Sequence, residues 1–333
     1  MITIAVDAMG GDHAPRPEVE GAVLAAREFD VRVMLVGQPP AVRHELTKHA
    51  HRGLAIELVP ASEVIAMKDS PMLAFRKKKD SSVHVAAKLV RAGRADGMVS
   101  AGNTGAVMAV ARFGLGTLES VDRVALAAPF PTLRGGVSVM LDVGANVDSR
   151  VDHLLQFAVM GSVYARIALG IQTPRVGLLS IGHEATKGNE LTREAHRLLK
   201  AAPLSFIGNV EARDVYSGQA DVIVCDGFTG NVALKISEGL VEVVGGLLSD
   251  ELSSTITMRV GSLLTRRALR HFRRRVDYSE YGGAPLLGVN GVTIVGHGRS
   301  SAKAVRNAVA MAYRFAADHF IERVEREIAA AAV

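Results

Sequence analysis

The sequence predicts an α/β fold built on a parallel sheet with helices on both faces. Three observations carry that expectation. Residues 222–225 (VIVC) form an unbroken apolar run, as a strand needs when both of its faces are covered. The polar loop DGFTGN follows at 226–231, and then Val232, Ile236, Leu240, Val243 and Leu247 recur at helical spacing. The same strand, loop and helix construction returns at residues 97–111, with AGNTG in its loop, and at 175–199, with HEATKGN. Each loop sits at the carboxyl end of a strand and the amino end of a helix. Open α/β sheets bind ligands there, because free helix N–H groups and the helix dipole favour an anion. A single loop of this kind is equally an ordinary turn. Three of them, each combining glycine for close backbone approach with asparagine and threonine for neutral hydrogen bonds, point to a shared site of phosphate size.

Taken in order, residues 2–6 are a first apolar strand, ending in DAMGGDH at 7–13. Pro15 and Pro17 open a helix carrying Val19, Val23 and Ala26. Residues 31–36 read as a strand, 41–50 as a helix and 54–58 as a third, short strand. Residues 67–82 (MKDSPMLAFRKKKDSS) break the alternation. Their cations Arg76, Lys77, Lys78 and Lys79 are either a solvated surface or a docking patch for an acidic protein or an anionic substrate. A helix over 83–90 then leads into the strand at 97.

Two apolar runs follow, at 124–131 and 137–142; Pro129 and Pro131 suit an edge strand or a strand end rather than a central strand. A long helix is expected from about 150 to 169, carrying Val151, Leu155, Ala158, Ser162 and Ala165. After the Asn231 helix, residues 247–276 continue as a helical segment with Leu252, Ile256, Val260, Leu264, Ala268 and Phe272 along one side and many arginines in its second half. Residues 278–291 (YSEYGGAPLLGVNG) read as a glycine-rich loop, 292–295 as the last strand, and 300–328 as one closing helix. No repeat or linker divides the chain. It is expected to be a single domain over 1–333, with 247–275 as a protruding helical arm.

Composition limits the function. With 333 residues, 48% of them hydrophobic, a large core is possible. Aromatic residues are 5% and there is no Trp, so base stacking explains no binding surface and no nucleic-acid partner is expected. The single cysteine, Cys225, excludes an internal disulfide, and no apolar export segment precedes the first strand; the cytoplasm is the expected compartment. A net charge of +5 suggests acidic partners without choosing among them. No P-loop, GxGxxG, GxSxG or HExxH motif is present. Asp12 and His13 could ligate a metal, but no nearby ligands complete a site, and none is expected. Cys225 lies within an apolar run and reads as a small buried hydrophobe rather than a nucleophile. His183 is either a surface residue of its loop or a phosphate contact. Lys187, between Thr186 and Gly188 at a helix start, sits where a cation is disfavoured unless a bound anion compensates it.

Seven stretches taken together resemble one family: DAMGGDHAP at 7–15, RKKKDSS at 76–82, SAGNTGA at 100–106, LDVGAN at 141–146, KGNEL at 187–191, CDGFTGN at 225–231 and YGGAPLLGVNG at 281–291. The ordered set spans nearly the whole chain and is similar to the bacterial phosphate acyltransferases of phospholipid synthesis, the PlsX family. The resemblance implies a three-layer α/β/α sandwich similar to isocitrate and isopropylmalate dehydrogenases and to phosphate acetyltransferase, carrying a protruding helical pair and forming a homodimer. It implies transfer of a long-chain fatty acyl group from acyl carrier protein to inorganic phosphate, giving acyl phosphate for a membrane glycerol-3-phosphate acyltransferase. The family's catalytic lysine and asparagine fall on Lys187 and Asn231. Around them Asp7, Gly10, Gly11, Gly102, Asn103, Thr104, His183, Gly188, Asn189, Asp226, Thr229 and Gly230 are the expected substrate contacts. A thioester is already activated, so neither a cofactor nor a metal is required. Arg76, Lys77, Lys78 and Lys79 are the expected carrier-protein dock. Val260, Leu263 and Leu264, beside Arg266 and Arg267, are suited to resting on an anionic membrane surface.

Overall fold

The computed structural model describes residues 1–255, 257–258, 261, 265–267 and 282–331. Within them the chain runs β1 (Ile2–Asp7), α1 (Arg16–Glu28), β2 (Val31–Gly37), α2 (Pro39–Leu46), β3 (Ile56–Pro60), α3 (Pro71–Lys77), α4 (Ser82–Arg91), β4 (Gly97–Ser100), α5 (Thr104–Val110), β5 (Ala125–Pro131) and β6 (Val137–Leu141). It continues α6 (Val151–Leu169), β7 (Arg175–Leu179), α7 (Glu190–Ala201), β8 (Ser205–Val210), β9 (Val222–Val224), α8 (Gly227–Ser253), β10 (Ala284–Leu287), β11 (Val292–Val295), α9 (Ala302–Ala317) and α10 (Phe320–Ala331).

Among the described residues the strands join one sheet of eleven in the order β3-β2-β1-β4-β11-β10-β5-β6-β9-β7-β8. It is not uniformly parallel. The block β3-β2-β1-β4-β11 is parallel, as is the block β6-β9-β7-β8, while β10 is antiparallel to β11 and to β5, and β5 is antiparallel to β6. Each block therefore brings its own strand-end loops together: those after β1, β4 and β11 in one, those after β6, β9 and β7 in the other.

Alternate strand residues feed two cores, as the two-residue period of a strand requires. Ile4, Val6, Leu35, Leu141, Val222 and Val224 pack with residues of α1, α6, α9 and α10, including Val23, Phe157, Tyr164 and Phe315. Ala5, Met34, Val36, Met140 and Ile223 pack on the other face with residues of α4 and α5, such as Val83, Leu89, Val107 and Val110. The result is a three-layer α/β/α sandwich. Each fully buried large side chain contributes roughly 1.5–3 kcal/mol of transfer free energy.

Four differences from the sequence reading have physical causes. The 278–291 stretch is not all loop: APLL at 284–287 is the central strand β10, its four residues bracketed by Gly283 and Gly288 at φ +122° and +86°. The prolines of β5 lie in a strand that is central in order, yet β10 pairs with it only at Ala125 and Leu126. Pro129 and Pro131 fall in the half that β6 alone flanks, where fewer ladder bonds are asked of their missing N–H groups. The closing helix breaks at His319, whose φ is +51°. Phe320 then stacks on Phe315 with ring centroids 4.4 Å apart, and α10 turns its buried Val324 and Ile328 onto the core. Finally, β8 adds an edge strand where the sequence reading had none.

Candidate active site

The second block is built around Asp142, just past β6 and fully buried. Its Oδ1 accepts hydrogen bonds from the N–H groups of Leu126, Gly144 and Ala145, and its Oδ2 from the N–H and Nδ2 of Asn146. Burial pushes its carboxyl above the ordinary range even against these donors. The knot fixes the loop against which α8 begins. A Cβ on Gly230 would stand 1.9 Å from the Asp142 carbonyl oxygen and one on Gly227 2.2 Å from that of Asn146, so only glycine lets the helix start this close. Asp226 caps α8, its Oδ1 accepting from the Thr229 N–H and its Oδ2 from the Thr229 hydroxyl. Asn231 then reaches back, its Nδ2 donating to the Val143 carbonyl at 3.1 Å, beside Gly144 at φ +138°. Cys225 is buried at 3% exposure with its thiol pushed well up by burial, which fits a small hydrophobe.

The neighbouring loop follows β7. Lys187 is exposed, and its stem runs beside Gly182, where a Cβ would meet the lysine Cγ at 3.0 Å. Gly188 takes φ +99°, and a Cβ there would stand 2.9 Å from Ser180 Oγ, a buried hydroxyl without a partner among the described residues. Asn189 caps α7, its Oδ1 accepting from the Thr192 N–H. His183 turns to the protein: its Nδ1 is 3.2 Å from the Asn209 carbonyl, and its Nε2 lies 3.5 Å from Asp214 and 3.7 Å from Glu211.

In the first block, buried Asp7 ties two loops together. Its Oδ2 accepts from the Ser100 hydroxyl at 2.7 Å and its Oδ1 from the Met9 N–H, and a Cβ on Gly10 would meet both Asp7 Oδ2 and the Gly102 N within 2.7 Å. Gly11 packs as tightly on Glu18, whose Oε1 would lie 2.2 Å from a Cβ at that position. Asn103 is consumed structurally: Oδ1 caps α5 at Ala106, and Nδ2 donates to the carbonyls of Met67 and Asp69. Asn189 and Asp226 are likewise caps.

The two blocks meet at a cavity of about 310 Å³. Leu126, Ala128, Pro129, Val143, Leu234, Ala284 and Val295 give it an apolar wall; Thr104, Asn231, Lys235, Glu238 and His297 supply polar groups. Of the sequence-predicted contacts, Thr104 and Asn231 line it, while Lys187, Gly188 and Asn189 stand on the β7 loop outside its wall. The sequence reading missed Lys235, Glu238 and His297. Lys235 lies one helical turn beyond Asn231, a spacing that could have found it. The His297 Nδ1 accepts from the Arg299 N–H at 3.1 Å, so the ring proton of the neutral imidazole is on Nε2, and burial lowers its pKa.

Residues 2–323 match the family described as Fatty acid synthesis protein. A phosphate acyltransferase from Geobacter sp. (strain M21) is 56% identical over 313 residues, spanning 94% of this chain and 89% of its own length. Another, from Koribacter versatilis (strain Ellin345), is 57% identical over 336 residues, spanning 99% and 94%. The chain belongs to the PlsX family of phosphate acyltransferases. Among solved structures, a phosphotransacetylase from Streptococcus pyogenes superposes on this phosphate acyltransferase with TM-score 0.63 at 18% identity, covering 95% and 94% of the two chains. The EutD phosphotransacetylase from Staphylococcus aureus gives 0.59 at 17%, with the same coverage. At that identity the likeness concerns the fold.

The basic run of this acyltransferase is not one uniform patch. Arg76 and Lys77 are exposed at the end of α3. Lys78 turns inward, its Nζ donating to Asp69 Oδ2 at 2.6 Å and to the Val64 carbonyl at 2.7 Å, and Lys79 Nζ sits 3.9 Å from the Phe75 ring centroid. Val260, Leu263 and Leu264 lie outside the described residues; Arg266 and Arg267 are exposed.

Proposed function

We propose that this acyltransferase moves a long-chain fatty acyl group from acyl carrier protein to inorganic phosphate. The observation that carries the reading is the cavity at the join of the two blocks, whose apolar wall suits an acyl chain and whose polar groups include Asn231 and Thr104. In this reading Lys187 neutralises phosphate, with the Ser180 hydroxyl beneath Gly188, partnerless among the described residues, as a further contact. Asn231, anchored on Val143, positions the phosphate or the thioester oxygen. A phosphate oxygen attacks the thioester carbonyl carbon, the C–S bond breaks, and the thiol leaves with the proton that phosphate gives up. No covalent enzyme intermediate is required, in keeping with the burial of Cys225. Glycines 10, 11, 102, 188 and 230 act by allowing close approach of the loops.

The acidic carrier protein docks, in this reading, on α3. Arg76 and Lys77 are exposed there beside Met72 and Leu73, and Asn103 ties the preceding loop to the start of α5, whose Thr104 lines the cavity. The whole chain serves as one domain, with residues 247–275 as a homodimer arm. No helix among the described residues is long and apolar enough to cross a membrane. Contact with an anionic bilayer, near the glycerol-3-phosphate acyltransferase that would consume the product, is assigned to residues 260–267, of which Arg266 and Arg267 are exposed. Sedimentation with anionic vesicles tests this, and equal binding by parent and Leu263→Glu/Leu264→Glu protein would remove it.

The activity test offers phosphate with long-chain acyl carrier protein, long-chain acyl coenzyme A or acetyl coenzyme A and measures acyl phosphate. Product from the long-chain carrier donor is expected. Product from acetyl coenzyme A alone would replace this reading with a short-chain transferase.

A further inference from the structure

Lys235 stands apart from the loops that the reaction was read from. It is on α8, one turn past Asn231, and both line the cavity, so they share a helix face. Its ammonium lies 2.7 Å from Glu238 Oε2, three residues on. Such a partly exposed intrahelical pair is weak, so it holds the ammonium near the cavity without locking it away from a ligand. Thr104 and His297 line the same space, together with the apolar Leu126, Ala128, Pro129 and Val295.

Resting on the acyl-transfer reading above, we propose that Lys235 is a second cationic contact for the reaction, placed against the carbonyl oxygen of the acyl donor. A chain lying on the apolar residues brings its thioester carbonyl to the polar groups of the cavity, where Lys235 is the Lys or Arg of the lining among the described residues. Lys187 lies outside that lining, on the loop after β7 with Ser180 and Gly188, and so serves the phosphate. The two cations thus divide the work between two atoms. As phosphate oxygen bonds to the carbonyl carbon, the C=O electron pair moves onto oxygen beside Lys235; when that pair returns, the C–S bond breaks and its electrons leave with sulfur. Glu238 is a positioning residue in this scheme, acting through Lys235. A charge interaction realised only as the oxyanion develops raises turnover rather than affinity.

The test compares parent, Lys235→Met, Lys235→Gln and Lys235→Arg proteins in acyl-phosphate formation from long-chain acyl carrier protein, varying phosphate. Lys235 is exposed, and all four should fold with matching thermal midpoints. Loss of one oxyanion contact costs about 100-fold in kcat. That fall is expected for Met and Gln, with the phosphate KM within about twofold of the parent and with Arg recovering most of the rate. Near-parental kcat in Met or Gln protein would overturn the proposal. A raised phosphate KM with unchanged kcat would also overturn it, because Lys235 would then be a phosphate contact. A parent that forms no acyl phosphate would instead refute the acyl-transfer reading itself, and this inference with it.

Discussion

Replacing Asp142 with asparagine probes how the loop behind Asn231 is held. In the parent, Oδ1 takes three backbone N–H donors and Oδ2 takes the N–H and Nδ2 of Asn146. The better amide orientation keeps the first three and turns an NH₂ toward the last two, donor against donor. Two buried donors lose their acceptor, at about 1–3 kcal/mol each. Relief of the buried charge, which already pushes the Asp142 carboxyl upward, offsets part of that. The net expectation is a destabilisation of roughly 2–4 kcal/mol. Unfolding entropy near 2.1 cal/mol/K per residue makes this a fall in Tm of about 3–6 °C for a chain of 333 residues. Calorimetry measures the midpoint directly. Turnover at a temperature where the variant is folded should fall at least about tenfold, since Val143 anchors Asn231 and, on the proposed role of Asn231, a shifted reacting group is costly. A Tm within 1 °C of the parent by calorimetry, a margin of about 1 kcal/mol, together with undiminished activity, would refute the view that this knot organises the site.

Three further outcomes follow from the same structure. Glu18 is 2% exposed with a partnerless Oε2 among the described residues, and burial raises its pKa from 4.5 to about 7. The folded state therefore holds this proton more tightly than the unfolded chain, and the contribution to stability, complete below pH 4.5, is lost as pH rises through about 7. Glu18→Gln should match the parent near pH 4 and exceed it by roughly 3 kcal/mol at pH 8; equal denaturation curves at both pH values would contradict this. Gly144→Ala puts a Cβ 2.5 Å from Asn231 Nδ2 at a φ of +138°, so a loss of about 1–3 kcal/mol in stability is expected from urea denaturation, with a clear fall in kcat. On α8, Ile236 and Leu247 are each 65% exposed and Leu240 is 59% exposed, an apolar stripe suited to a second copy of the chain. Light scattering should report a dimer for the parent and a monomer for Leu240→Glu/Leu247→Glu; a monomeric parent would contradict the dimer.

Much of the frame was legible because it rests on short-range patterns. The apolar run at 222–225 did become a buried strand, over 222–224, and the loop at 183–189 did follow its parallel neighbour, but of the expected loop at 226–231 only Asp226 precedes the helix, which already begins at Gly227. What was illegible depends on tertiary partners. Nothing local distinguishes APLL in a glycine-rich stretch from loop; only pairing with β11 and β5 makes it a strand. The break at His319 follows from Phe320 stacking on Phe315, a contact invisible to helical periodicity. Asn103, Asn189 and Asp226 were visible as polar loop residues, but the residue type alone cannot separate a cap from a ligand contact, and the hydrogen bonds show all three as caps. Lys235 and His297 were missed for the opposite reason. Lys235 is mid-helix, marked only by its one-turn spacing from Asn231, and His297 follows the last strand, so only the fold brings it to the cavity.

The central claim is that Lys187, on the loop after β7, and Asn231, at the start of α8, carry phosphate acyl transfer. Its most direct test is acyl-phosphate formation from long-chain acyl carrier protein and phosphate by Lys187→Ala and Asn231→Ala proteins. Both side chains are exposed at loop and helix ends, so both variants should keep the parental fold by circular dichroism. The account predicts a fall in turnover of roughly two to four orders of magnitude for each, the range for removing a positioned charge or oxyanion donor. A folded variant of either kind that forms acyl phosphate at close to the parental rate would contradict it.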